Sequence, residues 1–136
     1  MSFREKSAWI TFLTLLLAAA VNIAVLSTGR LEGVERLHFL FLCVAGLVAL
    51  QVVLHVVVAI MNPADARSPK DERERAIQLR SHSVGYYVLL LGVLGMFITG
   101  HTFIHAGAVL YHALAAMVLS TLSISLTQIV LFRIGR

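Results

Sequence analysis

The sequence has little with which to build a soluble, cross-linked or metal-rooted domain. Its one cysteine, Cys43, lies inside an apolar run and can form no internal disulfide, so cysteine usage reports no redox compartment. Charged residues make up 13% of the chain and hydrophobic ones 59%, against roughly 25% and 45–50% in a soluble domain, which excludes an ordinary globular composition. Acidic residues number only seven, and all fall at Glu5, at Glu32 and Glu35, or between Asn62 and Ser83. No carboxylate therefore interrupts an apolar run, and the usual signature of an ion-coupled transporter is missing. Cys-rich and HExxH patterns are absent, as are the alternating ten-residue strands of a transmembrane barrel.

What is present is four long apolar runs separated by one long polar stretch. A helix needs about 20 apolar residues to cross ~30 Å of hydrocarbon. The runs predict helices over 8–28, 37–61, 69–99 and 103–133. The fold class expected is all-α: an integral membrane protein, a single domain over 1–136, with four transmembrane helices forming two antiparallel hairpins. The first run follows Arg4 and Lys6 and contains Ala18-Ala19-Ala20, as a cleaved signal peptide would. Its apolar character continues past Ala20, beyond the usual h-region of about 7–15 residues, so an uncleaved helix is expected.

Lysine and arginine set the orientation. Nine of the eleven flank one side: Arg4 and Lys6, five in the connector 62–83, and Arg133 and Arg136; Arg30 and Arg36 face the other. The positive-inside rule then places both termini and the connector in the cytoplasm, and the inner membrane of a bacterium is the expected location. The net charge of +4 thus reads as a topology signal. Acids interleave with the bases of the connector, so no basic face for direct nucleic-acid binding is expected.

Local signals mark the joints. Asn62-Pro63 should stop the second helix, because a residue before proline is pushed out of the α region. Ser68 reads as an N-cap and Pro69 as the first position of the third helix, with Asp71 and Glu72 in the first turn and Asp71–Arg75 an i,i+4 pair. Deeper in, Gly85, Gly92, Gly95 and Thr99 form one small-residue stripe, and Ala113, Ala116, Ser120, Ser123 and Thr127 another. Two such stripes on helices joined by a short turn predict close antiparallel packing, with a homo-oligomer interface, that of a dimer, as the lesser alternative.

Polar residues in the runs supply the candidate sites. Gln51 and His55, four apart, share a helix face toward the cytoplasmic end, at the depth of Tyr86 and Tyr87; these four are the candidate ligand or sensor group. The outer histidines His101, His105 and His112 are candidate metal ligands by residue type, although His105 and His112 stand about 10.5 Å apart along a helix axis. His55 and His112 lie at different depths, ~27 Å and ~9 Å from the outer ends of their helices, and cannot share one haem iron. No cofactor is expected.

Three short patterns run in order along the chain: Glu5-Lys6-x-Ala8-Trp9, Leu54-His55-x-Val57-Val58-Ala59-Ile60 ahead of a proline, and Asp71-Glu72-Arg73-Glu74-Arg75. On these the chain resembles an uncharacterised family of small four-helix bacterial inner-membrane proteins. The resemblance singles out Trp9, His55 and the Asp71–Arg75 run, and implies no known activity, substrate or cofactor. Such proteins are often encoded beside helix-turn-helix regulators, so it also implies a cytoplasmic transcriptional regulator as partner, docked on Asp71, Glu72, Arg73, Glu74 and Arg75. The function expected is non-enzymatic: a sensor or membrane partner acting through the connector. The alternative is a small oligomeric transporter or channel.

Overall fold

The computed structural model describes residues 3–30, 33–102 and 106–134. Five helices follow one another: α1 Phe3–Ser27, α2 Gly33–Met61, a short α3 Pro63–Arg67, α4 Glu72–Thr102 and α5 Ala106–Ile134. Among the described residues there is no strand. Four of the helices are long and apolar enough to cross a membrane. Their lengths of 25, 29, 31 and 29 residues exceed the roughly 20 needed. Large apolar side chains such as Phe41, Leu42, Ile60, Leu91 and Phe97 are exposed along them. In water such contiguous apolar surface would be an association site; against lipid it is the outer wall.

The long helices begin earlier or end later than their apolar runs. Polar residues extend them: Phe3–Ser7 adds more than a turn to α1, with Glu5 in its first turn, and Glu35 sits in the first turn of α2, where acids favour the helix dipole. Between them Gly29 adopts φ +63°, the left-handed position that ends a helix most cheaply when no Cβ is present. The expected stop at Asn62 is observed, with α2 ending at Met61 and Pro63 opening α3.

The start of α4 differs from the sequence expectation. Ser68 does not cap a helix beginning at Pro69; it is extended (ψ 139°) and closes α3, as a residue preceding proline should be. Asp71 is the cap instead. Its carboxylate accepts from the Glu72 amide at 2.8 Å, Glu74 Oε2 accepts from the Asp71 amide at 3.3 Å, and the Arg75 amide makes the first helical bond to the Asp71 carbonyl at 3.0 Å. This reciprocal arrangement, a variant of the capping box, satisfies backbone donors that would otherwise be orphans.

The chain divides into two compact units, Met1–Ser68 and Pro69–Arg136. In the first, α1 packs on α2 with Ala8, Leu15 and Leu40 buried. In the second, α4 packs on α5 about a core of Ile77, Ser81, Gly85, Ala116, Ser120, Ser125 and Ile129. Gly85 is what allows the approach. Ser120 Oγ donates to its carbonyl at 2.8 Å, and a Cβ there would overlap the Ile124 side chain. At Gly92 an added Cβ would stand 2.5 Å from Ala116 Cβ, whereas at Gly95 it would meet nothing within 4 Å. The small-residue reading is thus met at Gly85, Gly92, Ala116 and Ser120 but not at Gly95. Beyond Ser120 the buried face of α5 passes to Ser125 and Ile129 rather than Ser123 and Thr127, because Ile124 is the knob that fills the Gly85 hole.

Leucine at Gly85 or Gly92 should therefore lower stability in detergent by about 1–3 kcal/mol, the usual cost of overpacking, while leucine at Gly95 should leave it unchanged. Reversible unfolding of the purified chain measures all three, and equal losses at Gly92 and Gly95 would refute the packing described.

Candidate functional site

Polar side chains inside hydrocarbon are most stable with partners inside the protein, and in the first unit three residues form one connected run, whereas the buried Asn22 Oδ1 has no partner among the described residues. The Thr14 hydroxyl is buried, lies 2.7 Å from the Ile10 carbonyl one turn back, and accepts from Gln51 Nε2 at 3.0 Å. Gln51 in turn offers its backbone carbonyl to His55, whose Nδ1 lies 2.7 Å away. At that distance the proton of a neutral imidazole resides on Nδ1, since a carbonyl oxygen can only accept. That leaves Nε2 as the nitrogen with a lone pair to present. No bond to Nε2 is formed among the described residues.

Two further contacts tie the same end of the unit together. Lys6 Nζ donates to Asn62 Oδ1 at 3.1 Å, and the Arg4 guanidinium donates to the Ser68 carbonyl at 3.1 Å. Asn62 is also held by the end of α2, its side-chain amide and backbone amide both donating to the Val58 carbonyl at 3.1 Å. Glu5 is 2% exposed on the same turn of α1, and Trp9 meets Phe12 edge-on, with ring centroids 6.2 Å apart. The ends of α1 and α2 and the whole of α3 are therefore clasped from Arg4 to Ser68.

Of the sequence-derived candidates, Gln51 and His55 are brought together here, and Thr14 joins them. Tyr86 and Tyr87 lie in the second unit, both exposed, with their rings in edge-on contact at 5.7 Å. In the Asp71–Arg75 run, Asp71 and Glu74 are engaged in starting α4, and Glu72, Arg73 and Arg75 are exposed. His112 is exposed on α5; His105 lies outside the described residues, as does the side chain of His101. Among the described residues no three of histidine, cysteine, aspartate and glutamate gather as a metal site would require. The second unit also carries a groove of about 620 Å³ between α4 and α5, lined by Leu89, Val93, Met96, Phe97, Ala113 and Met117 among others, with no polar side chain on its wall.

Sequence reasoning misses the clasp. Lys6 and Asn62 are 56 residues apart and Arg4 and Ser68 are 64 apart, and only the antiparallel register of α1 on α2 brings them together. A signal does exist: Glu5, Ala8 and Leu15 recur at helical spacing and mark the face of α1 that turns inward.

Compared with family models, curated proteins and solved structures, the chain matches none.

The Thr14–Gln51 bond should contribute about 0.6 kcal/mol, the average for a polar contact between membrane helices. A double-mutant cycle with Thr14→Val and Gln51→Leu measures it directly, and a coupling indistinguishable from zero would mean that the two side chains do not meet. Asp71→Ala should remove the cap of α4 at a cost of about 1 kcal/mol, seen as faster amide exchange at Glu72–Arg75 with the rest of α4 unaffected.

Proposed function

We propose that this chain is a multi-pass protein of a bacterial inner membrane, its two helix pairs spanning as antiparallel hairpins with both termini and the 62–83 connector in the cytoplasm. In this reading it performs no catalysis and serves as a membrane sensor or partner of a cytoplasmic regulator. The orientation is supported by the nine-to-two distribution of lysine and arginine. The resemblance to small four-helix membrane proteins supports the kind of partner.

The observation that carries the sensing role is the pair of bonded groups on α2 and its end: His55 through Gln51 to Thr14 and, two turns on, Asn62 and Ser68 to Lys6 and Arg4. His55 stands seven residues before Asn62, which directly follows the last residue of α2, and its Nε2 is the acceptor left over. A proton or hydrogen-bonding ligand taken up there changes how His55 holds the Gln51 carbonyl, and with it the fit of α2 against α1. The clasp passes that difference to the first half of the connector, and a partner bound to the connector reads it as a shift between two populations.

Two experiments test the reading. A reporter fused after Arg136 should be active in the cytoplasm, and one inserted between Gly29 and Arg36 should be active outside; the reverse pattern refutes the orientation. For the sensing role, His55→Gln should weaken partner binding or regulated output by about fivefold or more, the lower end of coupling between linked sites, while His112→Gln leaves it unchanged. Equal behaviour of the two variants, both inserted and folded, would reduce His55 to a packing residue.

A further inference from the structure

We infer that the face of α4 carrying Arg73, Arg80, Tyr87 and Leu94 is a binding strip for an anionic phospholipid. Its headgroup phosphate is held at Arg80 and its acyl chain lies along Leu94. These residues recur every seventh position and so form one line up the helix, drifting only about 20° per step. In depth order the line reads two guanidiniums, an aromatic ring and an aliphatic side chain, which matches headgroup, interface and hydrocarbon.

The line faces away from α5. Tyr87 and Leu94 each follow by two residues the glycines in closest contact with that helix, Gly85 and Gly92, and two residues correspond to roughly 160° around the axis. All four side chains are exposed, Tyr87 at 63% and Leu94 at 51%.

The charge at Arg80 has no acid beside it: the carboxylates of the DERER run, Asp71, Glu72 and Glu74, lie roughly two turns further out, at the start of α4. No hydrogen bond or ion pair among the described residues engages the guanidiniums of Arg73 or Arg80. Around Arg80 the positions one turn away in either direction are Ala76, Ile77, Ser83 and Val84, none of them acidic. An arginine at this depth with no carboxylate beside it fits a phosphodiester, which takes its planar donors two at a time.

Depth separates the roles of the two arginines. Arg80 is about 10.5 Å further out than Tyr87 along the axis, close enough for its flexible stem to bring the guanidinium to a headgroup. Arg73 is another ~10.5 Å out, about one Debye length, and acts only through the surface potential.

The test uses the full chain in phosphatidylcholine bilayers with traces of spin-labelled phosphatidylglycerol or spin-labelled phosphatidylcholine, comparing how much of each label is held at the protein. Phosphatidylglycerol should be preferred. Arg80→Gln should cut the preference about fivefold, the equivalent of the roughly 1 kcal/mol a basic side chain gains at an anionic surface; Arg80→Lys should keep most of it and Arg80→Glu should abolish it. Arg73→Gln should have a smaller effect, and Arg30→Gln, in the loop after α1, none. The proposal is overturned if the preference survives both Arg80→Gln and Arg80→Glu, or if Arg30→Gln lowers it as much as Arg80→Gln does. Displacement of the labelled lipid by inorganic phosphate would mean a free-phosphate site. Loss of a soluble protein partner in Arg80→Gln with lipid preference intact would mean a protein surface.

Discussion

Hydrocarbon offers no water to a hydroxyl or an amide, and the way this chain satisfies its own polar side chains determines where its helices can touch. Most of the serines and threonines bond backward to a carbonyl of their own helix: Thr11 to Ser7, Ser81 to Ile77, Thr121 to Met117, Ser125 to Thr121 and Thr127 to Ser123. Satisfied in this way, they are small packing units that make no demand on a neighbour. Ser81, fully buried on the inner face of α4, is the extreme case. Of the described hydroxyls, Ser120 reaches across to the Gly85 carbonyl and Thr14 accepts across from Gln51, contacts that help fix the register of the second and first unit respectively.

The two units solve the packing problem differently. In the second, backbone approach dominates: glycine on α4 opens a hole, Ile124 and Ala116 fill it, and a short hydroxyl bond locks the depth. In the first, Ala8, Leu15 and Leu40 are buried between α1 and α2, and the polar links across the pair are the Thr14–Gln51 contact and the clasp at the open ends. A pair held by two localised polar contacts has two places at which a ligand or a change of protonation can act. A pair zipped along a glycine face has none so distinct.

Much of this is legible in the sequence and some is not, for identifiable reasons. The four apolar runs, the stop before Pro63, the shared face of Gln51 and His55, and the close approach at Gly85 and Gly92 follow from local rules in which a single effect outweighs its competitors. The start of α4 does not, because Ser68 and Asp71 are both plausible caps three residues apart. Proline extends the first and Glu74 completes the second, while Arg4, 64 residues away, takes the Ser68 carbonyl. The inner face of α5 departs from the small-residue stripe past Ser120, because counting small residues overlooks the large one that a glycine hole exists to receive. The burial of Glu5 depends on the register of whole helices, which periodicity alone does not supply.

The division at Ser68 has a consequence for biosynthesis. Each unit is made of consecutive residues, and the most distant bond within the first, Arg4 to Ser68, closes as soon as its last residue is available. Every residue of the clasp is therefore polymerised before α4 begins, and at the usual pace of about 5–20 residues per second the ribosome spends seconds on α4 before it reaches α5. None of the cross-helix bonds described in the first unit uses a residue of the second. A chain truncated after Ser68 would still carry both partners of each of those bonds.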